Sequence, residues 1–225
     1  MKNITTQTRN PLMTALAAAG RTSRRTVATL AAGLCLVASS LSAVAGSGQV
    51  LPPTATPKGW SIDNMAAAVA NFSISGNDLA YYPDTPFQII YRHPGNAFTV
   101  RPGTFLYVKV IFIDDSAPIL GDWPADESGV AEYWFGRTQL GGHDMEIEVD
   151  GRVYSLADPG YVGGPVPTPT SPSGSEHFLQ SGAFVTPLAK GTHTLTIRGV
   201  MDGDALVDAF GGPFNLNITY TITVE

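Results

Sequence analysis

The chain has 225 residues, with 13 Lys and Arg against 19 Asp and Glu, a formal net charge of −6 and a single cysteine. A negative surface repels phosphate backbones and anionic lipid, which argues against nucleic acid as a partner. One cysteine excludes a disulfide within the chain and, beside four scattered histidines, leaves no structural zinc spacing.

Residues 1–45 differ from the rest. They carry Lys2, Arg9, Arg21, Arg24 and Arg25 and no acid, and the apolar run VATLAAGLCLVASSLSAVA ends in small residues before Gly46. A basic start, an apolar middle and an Ala-x-Ala end predict an export signal cleaved after Ala45. Arg24-Arg25 partly match the twin-arginine motif, so both the general secretory and the twin-arginine routes are open. Cleavage leaves eight basic against nineteen acidic residues, a net charge of −11, and removes Cys35. No later apolar run is long enough to span a membrane. The expected product is secreted or periplasmic.

Residues 46–59, with LPPTATPKG, read as a Pro/Thr tether, and 60–225 as one domain. SIDNMAAAVAN predicts one short helix capped by Ser61. Beyond Phe72 the period changes to two. Strands are predicted at 87–92, 97–101, 105–113, 131–135, 144–149, 152–156, 177–187, 192–200 and 214–224. FLYVKVIFI is apolar on both faces except Lys109, the pattern of a central covered strand. FNLNITYTITV alternates cleanly, with one dry and one wet face. DPGYVGGPVPTPTSPSGS, 158–175, reads as a long surface loop. These elements predict an all-β fold, an antiparallel β-sandwich or jelly roll with at most one short N-terminal helix.

GGHDMEIEVDGR places Asp144, Glu146, Glu148 and Asp150 at alternate positions. Asp150-Gly151 is a strong type I′ hairpin signal, setting Val149 opposite Arg152 and Ile147 opposite Tyr154. Met145, Ile147, Val149, Tyr154 and Leu156 then face a core, Asp144, Glu146 and Glu148 face water, and Asp150 leaves the row because it sits in the turn. A row on one strand lacks the six to eight converging oxygens that calcium takes, so this row is expected to be surface.

The segment 114–136 is the stronger candidate site. It gathers Asp114, Asp115, Asp122, Asp126, Glu127 and Glu132 around Trp123, Tyr133 and Trp134. Indole and phenol faces stack on sugar C–H groups while carboxylates accept hydroxyl hydrogens. Trp123, Tyr133 and Trp134 are therefore the candidate ligand-binding residues. Asp114, Asp115, Asp122 and Asp126 are the candidate ligands should calcium bind, and no other cofactor is expected. If the protein is an enzyme, Asp114 or Asp115 with Glu132 are the candidate acid pair. The competing reading is that the aromatic side chains plug one end of the fold.

MDGDALVD, 201–208, starts like a calcium loop but lacks the turn glycine and the distal glutamate. Ser175-Glu176-His177 are adjacent, which does not define a triad, and no Gly-x-Ser-x-Gly elbow occurs. His193 alternates with Leu195 toward the core side.

PLAKGTHTLTIRG followed by FNLNITYTITV resembles the closing strands of secreted bacterial jelly-roll domains, including carbohydrate-binding modules. The mature chain is similar to exported bacterial β-sandwich proteins with no assigned activity. The resemblance implies the fold and transfers no binding residues. The expected function is a non-catalytic exported binding protein, with a glycan, calcium or another envelope protein as the partner classes. The alternatives are an extracellular polysaccharide hydrolase or lyase, and an envelope assembly subunit built through exposed strand edges.

Overall fold

The computed structural model describes residues 46–225, and the export-signal expectation for 1–45 lies outside the described residues. Among the described residues, nine strands form two sheets. Strands β1 (Gln88–Ile90), β3 (Leu106–Asp114), β7 (His177–Val185) and β6 (Val162–Pro167) make a four-stranded sheet in the order β1-β3-β7-β6. Strands β2 (Ala97–Val100), β9 (Phe214–Val224), β8 (Gly191–Met201), β4 (Gly142–Val149) and β5 (Arg152–Ser155) make a five-stranded sheet in the order β2-β9-β8-β4-β5.

The two sheets share one core. Leu106, Val108, Leu179 and Val185 from the smaller sheet join Ile147, Leu195, Ile197, Tyr220 and Ile222 from the larger one. A second cluster lies on the other side of the four-stranded sheet, where Ile62, Met65, Ala66, Val69 and Phe72 pack on Ile89, Tyr107, Phe178 and Phe184. Those first five residues belong to helix α1 (Ile62–Ile74). Ser61 starts it through a reciprocal cap: its hydroxyl accepts the Asn64 N–H at 3.1 Å and Asn64 Oδ1 accepts the Ser61 N–H at 3.1 Å. β3 is thus covered on both faces, as its apolar run predicts.

The hairpin forms as its sequence predicts. Asp150 and Gly151 have φ of 49° and 81°, and Glu148 pairs with Val153 and Ile147 with Tyr154. Met145, Ile147, Val149 and Leu156 are buried.

Several expectations are corrected. The pairing is mixed, because β1 runs parallel to β3 and β2 parallel to β9. Both parallel strands are short edge pieces reached by long connections, which local turn signals do not reveal. Residues 131–135 are not a strand but most of helix α2 (Val130–Phe135), and α3 (Asp204–Phe210) begins within the 201–208 segment, so there is more than one helix. Val130, Tyr133 and Trp134 stand at i, i+3 and i+4 and are all buried, so the helical period wins over β-propensity. The 158–175 surface loop contains β6, whose pairing with β7 the proline-rich composition hides. The Pro/Thr tether is tied to the fold: Leu51 N–H bonds Phe184 O at 2.9 Å and Thr186 N–H bonds Gln49 O at 2.9 Å. Among the described residues, no helix is long and apolar enough to cross a membrane.

Candidate functional site

The 114–136 segment leaves the end of β3 and returns through α2. Its aromatic residues turn inward. Trp134 is fully buried, and Tyr133 is buried with its hydroxyl donating to Leu120 O at 2.8 Å. Burial pushes the Tyr133 phenol well above its ordinary range. Trp123 is half-buried and packs edge-on to Tyr133 at 5.4 Å between ring centroids. The indole N–H groups of Trp123 and Trp134 are buried without a hydrogen-bond partner among the described residues. Tyr133 and Trp134 therefore sit in the core, and only Trp123 has an edge near solvent.

Three acids of this segment, Asp114, Asp115 and Asp126, hold backbone N–H groups. Asp114 Oδ1 accepts the Ser116 N–H at 2.9 Å and also the Ser116 hydroxyl. Asp115 fastens the end of β3 to the start of β7. Its Oδ1 accepts the Glu176 and His177 N–H groups at 2.7 and 2.9 Å, and its Oδ2 meets His177 Nδ1 at 2.8 Å. Burial raises the Asp115 carboxyl, but the His177 and Glu176 hydrogen bonds outweigh it and hold the group below the usual carboxylate range. Asp122 pairs with Gln139 Nε2 at 3.2 Å, and Asp126 caps Ser128 N–H at 2.9 Å. Glu132 is exposed on α2. Among the described residues, no three His, Cys, Asp or Glu side chains group so as to hold a metal ion.

The segment does border a concavity, with different residues. A cleft of about 290 Å³ is lined by Asp63, Glu127, Val130, Ala131, Pro159, Gly160, Val162 and Gly164. Glu127 also lines a wider depression of about 560 Å³, with Ala125, Asp126, Ser128 and Pro165. The walls come from the first turn of α1, from α2 with the 3-10 turn before it (Glu127–Gly129), and from β6 with the 3-10 turn before it (Pro159–Tyr161). Gly163 lets α1 and β6 approach, since a Cβ there would lie 2.8 Å from Ile62 O. Asp63 Oδ1 accepts the Gly164 N–H at 2.9 Å, joining the helix start to the strand. Glu127 was visible in the sequence as one acid among six. Asp63 was not, because an acid in a helix's first turn is ordinary.

Lys109 is buried in the middle of β3 on the α1 side. Its Nζ donates to Asn77 Oδ1 at 2.7 Å and lies 4.7 Å from the centre of the Phe72 ring. No carboxylate pairs with it among the described residues, and burial pulls its pKa down to about 7. Nearby, Ser73 Oγ donates to Gln180 Oε1 at 3.3 Å, and Gln180 Nε2 donates to the Tyr107 hydroxyl at 3.2 Å.

The alternate acids of β4 are partnered. Arg198 reaches Glu148 at 2.7 Å and Glu146 at 4.0 Å, and Asp144 lies 3.0 Å from His143 Nδ1. Asp150 instead accepts from the Thr194 N–H at 2.9 Å and meets His193 Nδ1 at 2.7 Å, while His193 Nε2 faces Ala189 O at 2.9 Å. His193 is thus an inward histidine with both ring nitrogens partnered.

The chain matches no protein-family model, no curated protein and no solved structure.

Proposed function

We propose that the protein is an exported, non-catalytic binding protein of β-sandwich or jelly-roll type, whose ligand enters the cleft between α1, α2 and β6. One observation carries this reading: Asp63 and Glu127 line a cleft whose remaining wall is Val130, Ala131, Pro159, Val162 and two glycines. Two acceptors beside an apolar wall suit a small neutral ligand rich in hydroxyl donors, such as one sugar unit, whose C–H face lies on the apolar side. The cavity, at about 290 Å³, is of the size that holds one such unit. Tyr133 and Trp134 anchor α2 in the core, and the same helix carries Val130 and Ala131 at the cleft.

Calorimetric titration against neutral oligosaccharides, with and without calcium, tests the proposal. Glu127→Gln removes a charged acceptor at an exposed position and should weaken binding about tenfold, the equivalent of a charge-assisted hydrogen bond. Ala131→Trp should block the cleft. Ligand binding that ignores both changes, or no binding by the unaltered protein, rejects the proposal. A second reading, a polysaccharide hydrolase or lyase, is favoured by the same two carboxylates meeting one cleft. Turnover of a polysaccharide panel, abolished in Glu127→Gln, would establish it in place of simple binding.

A further inference from the structure

The outward face of the five-stranded sheet carries a block of seven in-register threonines. Thr99 of β2 pairs with Thr223 of β9, which pairs with Thr192 of β8. In the next rows Thr221 pairs with Thr194 and Thr219 with Thr196. Thr99, Thr192, Thr194, Thr219 and Thr221 are exposed, Thr223 is half-buried and Thr196 is buried. The Thr196 and Thr219 hydroxyls lie 2.9 Å apart; the hydroxyls of Thr99, Thr192, Thr194 and Thr221 have no protein partner among the described residues.

Geometry makes this block a lattice. Rows along a strand repeat every two residues, about 6.8 Å, and neighbouring strands lie about 4.8 Å apart. Each of the five exposed points offers a hydroxyl and a methyl on a side chain whose χ1 is stiff. The β8–β9 register runs unbroken from Gly191–Val224 to Met201–Phe214, and its reverse face is buried through Leu195, Ile197, Tyr220 and Ile222. Six of the seven threonines lie on that one strand pair, so sheet twist enters only once between them. Little entropy remains to be lost when such an array meets a matching surface.

Charge and chemistry narrow the partner. The chain is acidic, yet the block itself holds no ionisable side chain. Asp150, tied to His193, and Glu148, tied to Arg198, stand at its rim. The partner is therefore neutral, periodic and able to give and take hydrogen bonds at each point. The block also has no aromatic ring on which a sugar could stack. We infer that this face binds the ordered water of an ice surface, with hydroxyls joining the lattice and methyls seated between its waters. The inference is independent of the cleft.

Partitioning of the purified protein into slowly grown ice tests it. The unaltered protein should be enriched in the ice fraction and should slow ice recrystallisation. Thr194→Lys and Thr221→Lys should be excluded, with unchanged circular dichroism, while Glu127→Gln should partition like the unaltered protein. Exclusion of the unaltered protein to the level of an inert globular control overturns the inference. So does enrichment that survives both lysine substitutions, or adsorption to crystalline cellulose through this face without entry into ice.

Discussion

The two sheets differ in what covers them. The four-stranded sheet is enclosed, with the shared core on one face and α1 on the other. The five-stranded sheet has one buried face and one face open to water. Sequence pattern follows from that difference. β7 reads HFLQSGAFV, and every residue after His177 is buried. β9 alternates, with Asn215, Asn217, Thr219 and Thr221 exposed between the inward positions. Enclosure also turns a polar side chain into a cost, as with Lys109, whereas threonine on the open face is free of it.

The contrast can be broken most directly by truncation on the enclosed sheet. Phe184 is buried under α1 against Phe87 and Tyr107, at ring-centroid distances of 4.9 and 5.3 Å. Phe184→Ala should lower unfolding free energy by about 3–5 kcal/mol in urea titration. Thr194→Ala, on the open face, should change it by less than about 0.5 kcal/mol. Equal effects would mean that the second face of the smaller sheet is not enclosed in solution.

Lys109 sharpens the comparison next. Its pKa falls from 10.5 when unfolded to about 7 when folded. The unfolded chain therefore binds the extra proton between those values, and stability from this group is present above 10.5 and lost as pH falls toward 7. Lys109→Met should flatten that part of the pH–stability curve and raise stability at pH 6 by about 1–4 kcal/mol. A thermal melt at pH 6 that drops on this substitution would show the ammonium to be a net stabiliser.

The smallest effect belongs to the open sheet, at Asp150 and His193. Burial works against the charged histidine, but its bonds to Asp150 and to Ala189 O raise its pKa. Burial likewise raises Asp150, and the His193 and Thr194 hydrogen bonds outweigh it and lower that carboxyl. His193 stabilisation is complete below the unfolded histidine value and fades as pH rises through the folded one. Asp150 stabilisation is present above its unfolded value and fades as pH falls through the depressed one. Asp150→Asn should then cost about 1 kcal/mol near pH 5, a figure held down by the exposure of Asp150, and less near pH 9. A cost that does not vary across this range would assign the pair's effect to the turn alone.

Legibility divides along the same line. The alternation of β8, β9, β4 and β5, the Asp150-Gly151 hairpin with its register, and the Ser61 cap are all local, so neighbouring residues sufficed to read them. α2 was misread because Tyr133 and Trp134 have β-propensity, and only the core they meet selects the helical period. β6 was missed because its glycines and prolines look like loop, and its pairing partner β7 begins ten residues beyond its last residue. The candidate site suffered most. Aromatic and acid residues crowded at 114–136 marked the right neighbourhood, but the packing took Tyr133 and Trp134 inward and left Glu127 at the cleft, opposite an Asp63 over 60 residues earlier.

From the amino acids alone came the charge, the strand periodicity, the doubly apolar β3 and the hairpin, because each depends on side chains within one or two turns of chain. Tertiary structure alone decided the parallel edge strands, which aromatic residues are core, and which carboxylates share a cleft. Those outcomes depend on surfaces that meet only after distant segments pack, and composition carries no record of which surfaces those are.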